Sequence, residues 1–239
     1  MNIALIFAGG TGQRMNSVAL PKQFLIVHGK PILVHTILNF QNCSEIDKIV
    51  VVSLEEYIEE VKRLKEEFGL TKVCSVVKGG ASGQESIFNG LVEAKRLQTS
   101  DKDIILVHDG VRPIIDDETI KKNIACVKAN GNSITIAKSQ ETILIIEGEN
   151  VSDVEDRSKC FMGRAPQSFY LNDLYEAHLK ANEINKHDFI DSAMLMKYFG
   201  YTLYTVMGSP YNIKVTTPID FYMFKAMLDA KESEQIKLV

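Results

Sequence analysis

The sequence has no tryptophan, and only four cysteines and six prolines among its 239 residues. It also has no excess of positive charge: 27 Lys and Arg stand against 31 Asp and Glu, a net charge of -4. A chain of that balance has no overall field to hold nucleic acid or anionic lipid, so any anion site must be built locally. The cysteines, Cys43, Cys74, Cys126 and Cys160, never fall at C-x-x-C spacing, which argues against a zinc ribbon or a thioredoxin-type motif. Cys74 and Cys126 lie in apolar runs and are expected to be buried thiols in a reducing, cytoplasmic compartment. The apolar start, Met1 to Phe7, has no basic flank and stops at Gly9-Gly10, too short for a signal peptide or a membrane span. No repeat, low-complexity tract or linker divides the chain, and a single domain over 1–239 is expected. With 45% hydrophobic and 24% charged residues, the composition is that of a globular protein with a proper core.

What is present is alternation. Short apolar runs at Ile3–Ala8, Ile46–Ser53, Val73–Val77, Ile104–His108 and Ser133–Ala137 read as buried strands. Between them, apolar residues recur at helical spacing: Ile32, Leu33, Thr36 and Ile37; Tyr57, Val61, Leu64 and Phe68; Ile87, Leu91 and Ala94; Ile120, Ile124 and Val127. This pitch predicts an α/β three-layer sandwich with a mostly parallel, twisted sheet. Such sheets bind ligands at the carboxyl ends of their strands, which draws attention to loops 9–22, 78–86 and 109–116. Near Ser139 the rhythm breaks. Thr142–Glu147, Gly148-Glu149-Asn150 and Val151–Val154 read as a projecting β-arm, about 139–157, whose apolar residues need a partner subunit to cover them. Beyond it, 171–185 and 191–199 read as helices, 202–206 and 212–215 as strands, and 218–231 as a closing helix.

The first of those loops reads Ala8-Gly9-Gly10-Thr11-Gly12-Gln13-Arg14-Met15. Glycines let backbone N–H groups approach a phosphate chain. Met15 stands where a dinucleotide fingerprint needs its third glycine, and no lysine follows Gly12 as a Walker A loop requires. Instead come Arg14 and then Pro21-Lys22-Gln23-Phe24. Two cations there suit a triphosphate, Arg forking across two oxygens and Lys acting as a point charge.

These segments resemble the signature of nucleotidyltransferases that activate phosphorylated sugars and polyols. Val107-His108-Asp109-Gly110-Val111-Arg112-Pro113, Ala165-Pro166-Gln167-Ser168-Phe169 and Asn212-Ile213-Lys214-Val215-Thr216-Thr217-Pro218 narrow the resemblance. They are similar, in order and along the whole chain, to segments of the methylerythritol-phosphate and ribitol-phosphate cytidylyltransferases. The resemblance implies a Rossmann-like nucleotidyltransferase fold and a reaction of CTP with a phosphorylated alcohol, giving a CDP-alcohol and pyrophosphate with Mg²⁺ bridging the triphosphate.

By match to the family's segments, Arg14, Lys22 and Lys214 carry catalysis: the first two hold the triphosphate and Lys214 approaches the α-phosphate. Ala8, Gly9, Gly10, Thr11, Gly12, Gly80, Ser86, Asp109 and Gly110 are the expected CTP-binding set. Asp109, Arg112, Arg157, Asp191 and Lys214 are expected beside the phosphorylated alcohol, with Arg157 reaching the site of a partner subunit in a homodimer joined by the arm. Asp109 could bind a substrate hydroxyl, steer Mg²⁺ through water, or simply pair with Arg112. Lys214 could equally snorkel to the surface. His108 is expected to be structural, because an ionised phosphate needs no base. Gly83 stands where relatives often carry an Arg.

The alcohol itself is less legible. Ile190 before Asp191 and Ala165 before Pro166 replace threonines of the methylerythritol-phosphate branch, and two hydroxyls are lost with them. Leu20-Pro21-Lys22-Gln23-Phe24 looks more like the ribitol-phosphate branch, which feeds teichoic acid or capsule polymers. D-Ribitol 5-phosphate is therefore the expected substrate, with 2-C-methyl-D-erythritol 4-phosphate of isoprenoid biosynthesis as the alternative and other polyol phosphates still open. A Rossmann-type oxidoreductase is disfavoured by the missing third glycine. A catalytically dead nucleotide sensor is disfavoured by the joint presence of Arg14, Lys22, Asp109 and Lys214.

Overall fold

The computed structural model describes residues 1–9 and 20–232. Seven strands form its central sheet: β1 (Asn2–Ala8), β4 (Lys48–Ser53), β5 (Val73–Lys78), β6 (Ile104–Asp109), β7 (Asn132–Lys138), β10 (Phe161–Tyr170) and β11 (Thr205–Met207), in the order β11-β7-β10-β6-β1-β4-β5. All neighbouring pairs are parallel except those of β10, which runs antiparallel to both β6 and β7. Short strands β2 (Ile26–Val27) and β3 (Lys30–Pro31) make a small separate ribbon, and β8 (Leu144–Glu147) with β9 (Asn150–Val154) another.

The alternation of β1 shows how the layers form. Ala4, Ile6 and Ala8 enter one core with α1 (Ile32–Asn42), α2 (Ile58–Glu67) and α4 (Asp117–Asn130). Ile3 and Leu5 face the opposite core with α3 (Gly83–Leu97), α5 (Leu171–Glu183) and α6 (Ser192–Tyr198). A central strand buried on both faces has no polar side to show, hence its unbroken apolar run. A third cluster seats α7 (Pro218–Glu232) through Phe224 on Val27, Ile32, Val111, Ile114 and Val215. The three-layer α/β sandwich with a mostly parallel sheet is thus present.

Four expectations need correction. Strand β10 is absent from the sequence reading, because Pro166 in its middle cannot donate to a ladder. The structure accommodates Pro166 in a register break between Gly163 and Gln167, where the hydroxyl of Thr135 donates to the Pro166 carbonyl at 2.7 Å. Asn212–Val215 is not a strand; it is held instead by Val215 N–H donating to the Val111 carbonyl at 2.8 Å. The strand expected at 202–206 begins only at Thr205. Finally, Cys74 is exposed on β5, which lies at the sheet's edge, and Cys126 is half-buried; Cys43 is the buried thiol.

Candidate active site

Strand β6 ends on Asp109, buried like all six of its residues. One carboxylate oxygen accepts from Arg112 Nε at 2.7 Å and the other lies 2.5 Å from Lys214 Nζ. Burial opposes ionisation of Asp109, but the charges and hydrogen bonds of Lys214 and Arg112 outweigh it and hold the carboxyl at about 2. The Arg112 guanidinium also donates to the Asn212 carbonyl at 3.0 Å, and the Asn212 amide donates to the Ala165 carbonyl at 2.6 Å. Loop 109–115, loop 209–217 and β10 therefore meet at one point. Asp220 fixes the far side of Lys214's loop by accepting from the backbone and hydroxyls of Thr216 and Thr217 at 2.8–2.9 Å. Lys214 does not snorkel away; its ammonium turns inward to Asp109 and lies 6.0 Å from the Phe7 ring centroid.

His108, one residue before, is fully enclosed. Its Nε2–H donates to the Arg112 carbonyl at 3.2 Å, and burial lowers its pKa to about 4, so it is neutral at pH 7. A neutral imidazole committed to a turn carbonyl is structural, as expected.

On the other side of β1, glycines crowd a serine. Ser82 caps α3 by accepting from Glu85 N–H at 3.1 Å, and the Glu85 carboxylate reaches back past the cap to accept from Ala81 N–H at 2.8 Å. The cap sets the helix start and places buried Ser86 in its first turn, where Oγ accepts from Gly80 N–H at 3.0 Å. A Cβ on Gly79 or Gly9 would stand 3.1 or 3.2 Å from that oxygen, so only glycine fits without displacing it. An open cleft of about 500 Å³ runs past Leu54, Lys78, Gly79, Gly80, Ala81 and Glu85.

Over residues 2–230 the chain matches the family described as IspD, 2-C-methyl-D-erythritol 4-phosphate cytidylyltransferase. It belongs to the IspD family of cytidylyltransferases. Within that family it is 49% identical, over 99% of both chains, to the ribitol-5-phosphate cytidylyltransferase of Streptococcus agalactiae serotype III (strain NEM316). It is 45% identical, again over 99% of both chains, to the ribitol-5-phosphate cytidylyltransferase of Vibrio parahaemolyticus serotype O3:K6 (strain RIMD 2210633). Its fold superimposes with a TM-score of 0.81 at 27% identity on the crystal structure of 4-diphosphocytidyl-2C-methyl-D-erythritol synthase from Anaerococcus prevotii DSM 20548, covering 95% of this chain and 96% of that one.

Among the residues expected at the site of this IspD-family chain, Asp109, Arg112 and Lys214 form one cluster, Gly9, Gly80 and Ser86 gather on the other side of β1, and Ala8 ends β1 with its side chain toward Gly110. Lys22 is buried in a 3-10 turn, Lys22–Phe24. That turn is tied to the end of β1 by Gln23 Nε2 donating to the Ala8 carbonyl at 2.8 Å, and Phe24 stacks on Tyr57. Gly110 is engaged inside the fold, its N–H donating to the Phe7 carbonyl and its carbonyl accepting from Thr36, with Ala8 and Leu33 too close for a Cβ. Asp191 caps α6 with one oxygen and accepts from Gln167 with the other. Arg157 is exposed beyond the β8–β9 ribbon. Gly10, Thr11, Gly12 and Arg14 lie outside the described residues. Sequence reasoning missed the anchoring by Gln23 and the bridge at Asn212.

Proposed function

We propose that the protein transfers the cytidylyl group of CTP to D-ribitol 5-phosphate. A phosphate oxygen of the polyol attacks the α-phosphorus in line, the bond to the β-phosphate oxygen breaks, and pyrophosphate leaves with the electron pair. No nucleophile of the protein is needed, so catalysis is positioning and charge stabilisation. The observation that carries the chemistry is the Asp109–Arg112–Lys214 cluster. It is an ionised carboxylate at a strand's carboxyl end that presents two cations to an anionic substrate. The choice of polyol rests on the full-length relatives at 45% and 49% identity, together with the loss of hydroxyls at Ala165 and Ile190.

In this reading Arg14 and Lys22 grip the triphosphate and Lys214 neutralises charge at the α-phosphate. Ala8, Gly9, Gly80 and Ser86 read the cytosine, and Asp109 and Arg112 orient the polyol phosphate. The described residues contain no group of three His, Cys, Asp or Glu side chains able to cage a metal. Both oxygens of Asp109 are already engaged. That donor set fits an ion carried in by the nucleotide, and we propose Mg²⁺ on the triphosphate with Asp109 facing it through water. The bound ion would supply charge neutralisation of the phosphates.

The protein is proposed to act as a homodimer. Leu144, Ile145, Ile146, Val151 and Val154 of the ribbon are between 41% and 55% exposed, a surface a second copy would cover. Among the described residues no helix is long and apolar enough to cross a membrane, and all four cysteines are unpaired. A cytoplasmic location suits both.

The test is pyrophosphate release from CTP with ribitol 5-phosphate, 2-C-methyl-D-erythritol 4-phosphate and glycerol 3-phosphate. The highest kcat/KM is expected with ribitol 5-phosphate. Preference for the methylerythritol phosphate would transfer the enzyme to isoprenoid synthesis. Release with none of the three would remove the catalytic reading.

A further inference from the structure

We infer that Arg164 is a phosphate-binding residue for the second substrate, setting the enzyme's affinity for the phosphorylated alcohol without contacting CTP. The inference rests on the cytidylyltransferase reading and adds to it a residue that the family's segments did not suggest.

Topology places Arg164 at the right edge. Strand β10 is antiparallel to β6, with Gln167 opposite Val107 and Tyr170 opposite Ile104. Moving backwards along β10 from Gln167 therefore approaches the carboxyl end of β6, where Asp109 sits. Residues 164–166 fall in the register break of the β10–β7 pairing, between Gly163 and Gln167. A break of this kind turns side chains out of the ladder and re-aims them. Ala165, next to Arg164, is bonded through Asn212 to Arg112, so the two arginines belong to one neighbourhood.

Chemistry then asks for an anion. Arg164 is half-buried, and its Nε–H is out of reach of water with no hydrogen-bond partner. It has no ion pair among the described residues. Burial, and then the charge of Arg112, lower its pKa, the pattern of a cation held near another cation. Asp109 is the single carboxylate in that cluster, and it is already shared by Arg112 and Lys214. A buried donor and an uncompensated charge are stable only when something else satisfies them. A phosphate dianion supplies the missing charge and accepts from a guanidinium fork. Asn212 Oδ1 is a second orphan in the same place, a buried acceptor with no donor. A ligand carrying both phosphate and hydroxyl groups satisfies the two together.

The sheet order decides which substrate. The cluster of Gly9, Gly79, Gly80 and Ser86, proposed to read the cytosine, lies toward β4 and β5, whereas β10 lies on the opposite side of β6. Arg164 is thus on the flank away from that cluster.

The test compares wild type, Arg164→Gln and Arg164→Lys by steady-state kinetics on the full chain, with thermal melting to confirm folding. Loss of a charge-assisted phosphate contact should raise the KM for ribitol 5-phosphate about 10- to 100-fold. The KM for CTP and kcat should move less than about threefold by comparison. Arg164→Lys should fall between the two. If Arg164→Gln does not fold, Arg164→Met, which keeps the apolar stem, is read in the same way. An unchanged KM for the polyol phosphate overturns the inference, as does a rise in the KM for CTP instead or a fall in kcat alone. Wild type that releases no pyrophosphate with any polyol phosphate would sink the cytidylyltransferase reading itself. Binding of ribitol 5-phosphate to wild type and Arg164→Gln by calorimetry would then still decide on Arg164, equal affinities overturning its role.

Discussion

Asp109 and Lys214 touch each other, yet replacing them should have opposite consequences. Asp109 and Arg112 are a buried pair, with side chains 9% and 10% exposed, whereas Lys214 is 39% exposed. Asp109→Asn leaves the Arg112 guanidinium buried beside Lys214 with no countercharge, which costs about 3–5 kcal/mol. For a chain of this length that is a fall in melting temperature of roughly 6–20 °C. Lys214→Met removes a partly solvated partner and leaves the Asp109–Arg112 bond intact, at a cost to stability of about 1 kcal/mol or less. Its effect should appear in turnover, about 10²–10³-fold in kcat, if the ammonium stabilises charge at the α-phosphate. Acid provides an independent check. The Asp109 carboxyl is held at about 2, below the ordinary value of 3.8. The stabilisation is therefore complete above about pH 4 and is lost as pH falls toward 2, an effect of about 2 kcal/mol. Urea unfolding of wild type and Asp109→Asn should show a gap that narrows from pH 6 to pH 3. A gap that stays constant, or an Asp109→Asn protein as stable as wild type at pH 7, would refute the electrostatic account. A folded Lys214→Met enzyme with normal kcat would refute the catalytic one.

If Gly80 and Ser86 read the base at its polar edge, as proposed, CTP should exceed UTP, ATP and GTP in kcat/KM by a wide margin; comparable turnover of UTP would count against that reading. Lowering pH should slow the reaction through about pH 6, where the substrate phosphate dianion takes up a proton and becomes a weaker nucleophile. His108→Gln should keep the same acid limb, since His108 is already neutral above about pH 4; a shifted limb in kcat/KM would make it a base after all. Mixing Arg157→Ala with Lys22→Ala subunits should restore part of the activity that each lacks, because one site of the mixed dimer draws both residues from unmutated copies. No recovery despite demonstrated subunit exchange would place Arg157 in its own chain's chemistry.

The parts of the fold legible in the sequence were those with one strong period. Strands β1, β4 and β6 each carry an unbroken apolar run because both faces are covered, and α2 and α4 carry their apolar stripes openly. Resemblance to the family's segments brought Asp109, Arg112 and Lys214 to notice, and they do converge. What escaped depends on tertiary partners. Strand β10 contains a proline and survives because a threonine hydroxyl from β7 takes over one of its carbonyls. Residues 212–215 look like a strand because Ile213 and Val215 are β-branched, but Asn212 and Ile213 N–H donate to nearby turn carbonyls and Val215 N–H to the loop after β6, so no ladder forms. Gln23 and Asn212 carry no periodic signal; each matters for the carbonyl it happens to reach.

The one reversed strand has a topological consequence. Because β10 runs against β7, the carboxyl end of one adjoins the amino end of the other: Phe161 pairs with Lys138, and Ser139 N–H donates to the Cys160 carbonyl. The intervening 140–159 are thus, to the sheet, merely the loop of a hairpin, however large. Splicing them down to a short turn asks nothing of the three-layer core and should yield a folded chain. Whatever that chain then lacks, in assembly or in turnover, is the excursion's own contribution, separable from the scaffold by a cut at a single doorway.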